Sequence, residues 1–159
     1  MLTEILSIGS ELTSGQNLDT NSQWLSQRLA EDGIAVGWHT TIADDFDANL
    51  DAFRSAARRA GLVLATGGLG PTLDDLTREV LARVAGVELV FHEESFQHIQ
   101  QLFASRNRAM PERNRVQAMF PVGAASFSSS VFSYCLLCVL CVSVVHIPCN
   151  AKSSPSAAS

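Results

Sequence analysis

Short apolar runs and longer stretches with helical spacing take turns over residues 1–105. The apolar runs predict four strands, at Ile5–Ile8, Ile34–Ile42, Leu62–Ala65 and Val87–Phe91. The stretches between and after them repeat apolar residues three and four positions apart, which predicts four helices, over Asn21–Gly33, Asp47–Gly61, Leu76–Val84 and Phe96–Phe103. Strands that alternate with helices form parallel βαβ units. The pattern therefore predicts an α/β fold in which a mostly parallel sheet has helices on both faces.

Polar residues with a known capping role precede three of the predicted helices. Asp19-Thr20-Asn21 lies at the start of the first helix, and Asp47 is expected to cap the second. Thr72 and Asp75 have the spacing of a capping box for the third helix. Helix capping is therefore one explanation for these side chains that requires no ligand.

A change in charge divides the chain near Ala125. The chain has 159 residues, a formal net charge of −5, 47% hydrophobic residues and 17% charged residues, which excludes a disordered polyelectrolyte. Of its 27 Asp, Glu, Lys and Arg residues, 26 lie at or before Arg115, and only Lys152 follows. The four cysteines all lie late, at Cys135, Cys138, Cys141 and Cys149. We therefore predict a domain over residues 1–125 and an unrelated, apolar, Cys/Ser-rich tail over residues 126–159.

Three interpretations of this tail are open. A frame-shifted or foreign sequence is favoured, because charge, lysine and cysteine usage all change in the same region. A membrane helix over residues 131–147 is the second, but a span needs about 20 apolar residues and a basic flank, and this run is marginal on both counts. A zinc site at Cys135, Cys138 and Cys141 is the third, and it lacks a second well-placed cysteine pair.

Charge and motifs exclude several kinds of function. An acidic chain is poorly suited to nucleic acid or to an anionic membrane, so neither is expected as a partner. Residues 1–10 lack the basic and apolar segments of a secretory signal, so a cytoplasmic location is expected. No serine lies in a GxSxG motif, and His39, His92 and His98 share no useful spacing. Nucleophilic catalysis by serine or histidine is therefore not expected.

The segment most typical of a ligand site is TGGLGPTLDDLT, at residues 66–77. It leaves the carboxyl end of a predicted strand and enters a helix, where open α/β sheets bind ligands and offer free N–H groups to phosphate. Gly67, Gly68 and Gly70 allow the backbone to approach a ligand closely. The segment is neither a P-loop nor a GxGxxG dinucleotide motif. It predicts a phosphate-binding loop, with a structural turn as the alternative.

Acidic residues follow three of the predicted strands, at ends that a parallel sheet brings to one edge. They are Glu11, Asp44, Asp45, Asp74 and Asp75. Their convergence would form an acidic pocket that needs a divalent ion, since Mg²⁺ favours one or two carboxylates together with phosphate oxygens. Asp74 and Asp75 are the predicted metal ligands. A solvated loop or a helix cap is the alternative at each position.

Several separated motifs resemble the amino-terminal domain of the competence/damage-inducible protein CinA family. They are Gly9-Ser10-Glu11-Leu12 with Gly15, Asp19-Thr20-Asn21, Asp44-Asp45, the segment Thr66–Glu79 and the segment Arg115–Ala124. The motifs occur in the family's usual order and cover about residues 1–125. Their agreement makes the resemblance specific, whereas a single TGGxG loop would not.

The resemblance implies a three-layer α/β/α domain of the molybdopterin-binding type, related to the MogA and MoaB proteins of molybdenum cofactor synthesis. In that group the glycine loop and the following acid surround a pterin phosphate, which here implies Thr66, Gly67, Gly68, Gly70 and Asp75. Ser10 and Glu11 are further candidate ligand contacts. The implied partners are a nucleotide or a pterin phosphate such as molybdopterin, and related domains commonly self-associate, so a homo-oligomer is a further expectation.

The resemblance also implies divalent-metal-dependent hydrolysis of ADP-ribose to AMP and ribose 5-phosphate. Asp75, with Asp74, would hold the metal, and Asp44 or Asp45 would orient water. The family continues after Ala124 with a strand and a Pro-Gly loop that close the pocket, and many members add a nicotinamide mononucleotide deamidase domain; this chain resembles neither. We therefore expect a domain incomplete at its carboxyl terminus. A non-catalytic binding module and an inactive truncated product stay open as alternatives.

Overall fold

The computed structural model describes residues 2–124 and the backbone of residues 142–145. Within this part of the chain there are six strands: β1 (Leu2–Ile8), β2 (Ala35–Ile42), β3 (Leu62–Thr66), β4 (Leu89–Phe91), β5 (Met119–Pro121) and β6 (Val142–Val145). The helices there are α1 (Ser10–Thr13), α2 (Thr20–Glu31), α3 (Phe46–Arg59), α4 (Thr77–Ala85) and α5 (Glu93–Ser105), followed by a 3₁₀ helix over Glu112–Ala118. The order confirms the predicted alternation of strands and helices.

The main sheet has the strand order β2-β1-β3-β6. β1 pairs in parallel with both β2 and β3, and β6 pairs antiparallel with β3. The predicted α/β class with a mostly parallel sheet is therefore confirmed. β4 lies outside this sheet, because it pairs antiparallel with β5 in a separate two-stranded sheet. The carboxyl ends of β1, β2 and β3 thus meet at one edge of the main sheet.

Helices cover both faces of β1, the strand between β2 and β3. Side chains of a strand alternate between faces, so Ile5 and Leu6 point in opposite directions. Ile5 packs with Leu25 of α2, whereas Leu6 packs with Phe53 of α3. All three of Ile5, Leu6 and Phe53 are fully buried. The result is the predicted three-layer arrangement, in which both faces of the central strand are apolar for most of its length.

An ion pair between the buried Glu4 and the half-exposed Arg59 interrupts this apolar face. Glu4 of β1 is fully buried and accepts hydrogen bonds from Arg59 Nε at 2.8 Å and from Thr40 Oγ1 at 2.7 Å. Burial raises the pKa of the Glu4 carboxyl, but the hydrogen bonds from Arg59 and Thr40 and the charge of Arg59 outweigh it, so the net pKa lies below the ordinary value. The Arg59 guanidinium also lies 5.0 Å from the Trp38 ring centroid. The pair therefore ties the end of α3 to the sheet.

Two of the predicted helix caps are wrong. α3 begins at Phe46 and is capped by Asp45, whose carboxylate accepts from Ala48 N–H at 2.8 Å, so Asp47 lies in the first turn. α4 begins at Thr77 with no side-chain cap, so Thr72 and Asp75 do not form a capping box. Their bonds close a turn before the helix instead. The predicted cap at Asp19 is confirmed, because its carboxylate accepts from Ser22 N–H at 2.9 Å.

The predictions about the tail fall almost entirely outside the described residues. The exception is β6, whose backbone pairs Val142–Val145 with residues 63–66 of β3. The expected incompleteness after Ala125, the zinc interpretation and the membrane interpretation of residues 131–147 stay predictions. In the part of the chain that the structure describes, no helix has the length and apolar character needed to cross a membrane.

Candidate functional site

The loops after β1 and β2 are joined by reciprocal hydrogen bonds. Ser10 N–H donates to Asp44 Oδ2 at 2.8 Å, and Asp44 N–H donates to Ser10 Oγ at 3.1 Å. Gly9 N–H donates to Ile42 O at 2.9 Å beside them. From α3, the buried Asn49 donates from Nδ2 to Ala43 O and Asp45 O, at 2.8 and 2.7 Å. These bonds set both loops at the carboxyl edge of the sheet.

The glycine loop after β3 turns four consecutive carbonyl groups toward α4. Thr77 donates from Oγ1 to Gly67 O at 2.9 Å and from its N–H to Gly68 O at 3.1 Å. Arg78 donates from Nη1 to Leu69 O at 2.6 Å and from Nη2 to Gly70 O at 2.8 Å. Two adjacent residues at the start of the helix therefore hold the whole loop backbone.

Two consecutive amide groups of this loop, those of Gly68 and Leu69, have no hydrogen-bond acceptor among the described residues. A trans peptide is planar, so the N–H that follows a carbonyl points the opposite way, and no cis peptide is present in the described residues. With Gly67 O and Gly68 O bonded to Thr77, the N–H groups of Gly68 and Leu69 point away from α4. Neither group donates a hydrogen bond among the described residues. Consecutive N–H groups of this kind form anion-binding concavities.

The first two glycines of the loop also have a structural role. Gly67 and Gly68 have positive φ angles of 94° and 62°, which favour glycine. A Cβ at Gly67 would collide with the Ile8 carbonyl oxygen, and one at Gly68 would collide with Thr77 Oγ1. These residues therefore have to be glycine for the loop to pack against β1 and α4. Their predicted role in cradling a ligand stays a prediction.

Asp75 braces the loop from its other side. Its Oδ1 accepts from Gly70 N–H at 2.7 Å, and its Oδ2 accepts from Thr72 N–H at 2.7 Å and Thr72 Oγ1 at 2.5 Å. Burial raises the pKa of the Asp75 carboxyl, but these hydrogen bonds and the charge of Arg78 outweigh it, so the net pKa lies below the ordinary value. Asp75 is therefore ionised near neutral pH.

A groove of about 500 Å³ opens at the carboxyl ends of β1 and β3. Of the predicted ligand contacts, Thr66, Gly67 and Glu11 line it. The other lining residues come from the end of β1 and the segment that leads into α2: Ile8, Leu12, Gln16, Asn17, Leu18, Asp19, Thr20 and Asn21. Asp19, Thr20 and Asn21 were predicted as helix-cap residues and as part of a CinA-like motif, whereas Gln16 and Asn17 were not predicted. Only the position of Gln16 and Asn17 between Gly15 and the Asp19-Thr20-Asn21 motif could have indicated them.

The predicted acidic residues do not gather into one cluster. Asp44 is bonded to Ser10, Asp45 caps α3, and Asp74 is exposed beside the inward-facing Asp75. Among the described residues no group of three or more His, Cys, Asp and Glu side chains is placed to hold a metal ion. The predicted metal site at Asp74 and Asp75, and the catalytic roles of Asp44, Asp45 and Asp75, stay predictions.

A larger cavity, of about 690 Å³, lies between the start of α3, the end of α4 and β4. Phe46, Arg83 and Leu89 are among its lining residues, and it contains none of the predicted site residues. Its lining offers no glycine loop and no strand carboxyl end. We therefore take the groove beside the glycine loop as the candidate site.

The fold and the glycine loop define an α/β domain of the molybdopterin-binding class. A family described as "Probable molybdopterin binding domain" matches residues 4–154, which is most of the chain. The chain therefore belongs to this family. Within the family it is similar to CinA proteins, as the sequence motifs predicted.

A CinA-like protein of Dictyoglomus thermophilum is 49% identical over 124 residues, which are 78% of this chain and 30% of that protein. A protein of Geobacillus sp. (strain WCH70), provisionally named competence-damage inducible protein, is 48% identical over 124 residues with the same coverage of 78% and 30%. The chain thus spans about 30% of the length of these curated relatives.

Solved structures agree with this assignment. The CinA protein of Thermoplasma acidophilum, whose function is described as unknown, superposes with a TM-score of 0.73 at 27% identity, over 82% of this chain and 77% of that one. The molybdopterin biosynthesis enzyme MoaB of Thermus thermophilus superposes with a TM-score of 0.52 at 23% identity, over 72% and 70% of the two chains. The MoaB likeness shows the fold alone, and it confirms the predicted relation to the MogA and MoaB fold.

Proposed function

We propose that this domain binds a phosphate-bearing small molecule, a molybdopterin or a nucleotide, at the glycine loop and the adjoining groove. The observation that carries the proposal is the pair of N–H groups of Gly68 and Leu69, which the loop turns away from α4. Charge-assisted hydrogen bonds from backbone amides are a common way to hold phosphate. Thr66 and Gly67, beside this pair, line the groove, so the rest of the ligand has space next to its phosphate.

The groove lining supports an organic body attached to the phosphate. Its volume of about 500 Å³ is within the range of small-molecule sites. Asn17 and Asn21 offer amide donors and acceptors, and Glu11 and Asp19 offer carboxylate acceptors. Pterins and nucleosides carry ring N–H, amino and hydroxyl groups that such acceptors bind. Asp19 already accepts from Ser22 N–H and Ser22 Oγ, but a purely apolar ligand would leave the Glu11, Asn17 and Asn21 side chains unpaired, so we expect a polar one.

The second candidate function is metal-dependent hydrolysis of ADP-ribose to AMP and ribose 5-phosphate, as the CinA resemblance implies. The observation that favours it is the presence of two carboxylates, Glu11 and Asp19, in the same groove. Asp75 fits a metal only in part. An ionised carboxylate has about four acceptor positions, and three of those on Asp75 are taken, one at Oδ1 and two at Oδ2. A divalent ion would supply charge neutralisation on the pyrophosphate oxygens.

Binding and turnover can be separated in one experiment. Calorimetric titration with AMP, with and without EDTA, should show binding in both cases if the domain is a binding module. Release of AMP from ADP-ribose that stops in EDTA and returns with Mg²⁺ would support the hydrolase candidate. Failure to bind AMP or a molybdopterin under either condition would refute the proposal. The domain is expected to act in the cytoplasm, and gel filtration with light scattering would test the expected self-association.

A matched pair of proline variants tests the amide pair directly. Leu69→Pro removes the Leu69 N–H, whereas Leu73→Pro alters the same loop at a side chain that is 95% exposed. The first variant should weaken AMP binding about tenfold, the usual effect of losing one hydrogen bond to a charged group. The second should bind as the wild type does. Equal affinity of both variants, with an unchanged near-UV circular dichroism spectrum, would exclude the Leu69 amide.

A further inference from the structure

We infer that Arg78 is a positioning residue, which presets the glycine loop for phosphate without touching the ligand; the inference rests on the proposed function. Arg78 is the second residue of α4 and is only 6% exposed. Its two terminal nitrogens donate to Leu69 O at 2.6 Å and Gly70 O at 2.8 Å. A planar guanidinium that spans two successive carbonyls fixes both peptide orientations at once.

Arg78 and Thr77 hold opposite ends of the segment that carries the two available N–H groups. Thr77 bonds the carbonyls of Gly67 and Gly68, which precede those N–H groups. Arg78 bonds the carbonyls of Leu69 and Gly70, which follow them. Without Arg78 the second half of the loop would keep, among the described residues, its bonds from Gly70 N–H, Thr72 N–H and Thr72 Oγ1 to Asp75 and a longer bond to Gln117. The flanking residues Gly68 and Gly70 would then allow the Leu69–Gly70 peptide to rotate.

Arg78 also balances the charge of Asp75. The two side chains clamp Gly70 from both sides, because Asp75 accepts from the Gly70 N–H at 2.7 Å and Arg78 donates to the Gly70 carbonyl. A carboxylate alone beside the loop would repel a phosphate. A buried guanidinium next to it brings the local charge close to zero. Arg78 therefore acts on the site through both backbone geometry and electrostatics.

Gln117, at the end of the 3₁₀ helix, is a second and weaker brace. Its Nε2 donates to Leu69 O at 3.3 Å, and its Oε1 accepts from Asn114 Nδ2 at 2.8 Å. Gln117→Met removes the donor to Leu69 without adding a charge, and it also removes the acceptor for Asn114. It therefore tests the loop anchor without the repulsion that a new carboxylate would exert on phosphate, and it does not alter α4.

The experiment is an amide NMR titration of the full 159-residue chain with inorganic pyrophosphate. Arg78→Lys keeps the charge and removes the planar bridge, and Arg83→Gln, at an exposed position of the same helix, is the control. We expect Arg78→Lys to bind about tenfold more weakly, which is ~1.4 kcal/mol, and Gln117→Met about threefold more weakly. Arg83→Gln should bind as the wild type does. The Gly68 and Leu69 signals should respond less in Arg78→Lys, while the core signals of Ile5 and Leu64 keep their wild-type positions.

The outcomes separate a failure of the proposed function from a failure of the role of Arg78. If pyrophosphate does not move the Gly68 and Leu69 signals of the wild type, both the proposed function and the role of Arg78 are overturned. If the wild type binds and Arg78→Lys binds equally well, only the role of Arg78 is overturned. If Arg78→Lys does not fold, Gln117→Met decides: equal affinity overturns the positioning of Leu69, and weaker affinity with an intact core supports it.

Discussion

Asp75→Asn is expected to destabilise the domain, although asparagine has almost the same size as aspartate. The Asp75 carboxylate accepts three hydrogen bonds, from Gly70 N–H, Thr72 N–H and Thr72 Oγ1. An amide oxygen can keep the two bonds from Thr72, but its NH₂ group then faces the Gly70 N–H. The bond from Gly70 N–H to a charged acceptor is therefore lost, and the two bonds from Thr72 are made to a neutral acceptor instead of a charged one. The asparagine NH₂ group and the Gly70 N–H, both donors, also face each other.

The magnitude follows from these three changes. A hydrogen bond to a charged group contributes ~1.5–3 kcal/mol, and a neutral one about half of that. Complete burial would give a total near 4 kcal/mol by this arithmetic. Because Asp75 is only partly buried, water replaces some of the lost interaction, and we expect a loss of about 2 kcal/mol in the free energy of unfolding. Asp74→Asn, at the exposed neighbouring position, should change it by less than about 0.5 kcal/mol.

Urea denaturation followed by tryptophan fluorescence measures both variants, since Trp24 and Trp38 lie in the described domain. The pH dependence supplies a second readout. The folded-state pKa of Asp75 is lowered, so its contribution is fully present above the unfolded value of about 3.9 and is lost as the pH falls through the folded value. The difference between the wild type and Asp75→Asn should therefore be constant from pH 7 to about 5 and shrink below about 4. Equal stability of the two proteins at pH 7 would refute Asp75 as a brace.

Three further predictions use matched pairs of variants in the same denaturation assay. Arg59→Met should lower the free energy of unfolding measurably, because the fully buried Glu4 carboxylate loses its cation, whereas Arg58→Met, at the neighbouring position of the same helix, should change it little. Comparable losses would contradict the ion pair. Gly67→Ala should lower the free energy of unfolding by over ~3 kcal/mol, because the new Cβ collides with the Ile8 carbonyl oxygen. Gly15→Ala, at a positive φ with open space around it, should lower it by about 1 kcal/mol. Similar losses would refute the close approach of Gly67 to β1. Asp45→Ala should lower the free energy of unfolding by about 1 kcal/mol because it removes the α3 cap, and Asp47→Ala, in the first turn, should lower it by a few tenths of a kcal/mol. The reverse order would show that Asp47 is the cap.

Buried polar residues explain where strand prediction stopped short. The apolar run predicted a first strand at Ile5–Ile8, but β1 begins at Leu2 and includes the fully buried Thr3 and Glu4. A carboxylate inside a sheet is not expected from an apolar pattern, and it is tolerated here because Arg59, far away in sequence, reaches it. β5 was missed for a different reason, since three residues ending in proline carry too short a pattern.

Local sequence was enough to establish the alternation of strands and helices, the class of fold and the resemblance to the molybdopterin-binding family. The spacing of apolar residues reflects which face of a strand or helix is buried, and this spacing can be read within a short stretch of sequence. Motifs such as TGGLG and GSEL are likewise short continuous segments, so they could be recognised without coordinates.

The contacts of the polar residues in these motifs, by contrast, depend on how distant segments pack. Asp75 was predicted as a metal ligand, and in the structure it braces Gly70 and Thr72. Arg78 lies in the CinA-like segment Thr66–Glu79 but was given no role, and it holds the carbonyls of the loop. A carboxylate or a guanidinium has several acceptors or donors within reach of its flexible side chain. Which of them it meets depends on the packing of β3 against β1 and α4, because the energy of a hydrogen bond falls steeply with small changes in distance and angle.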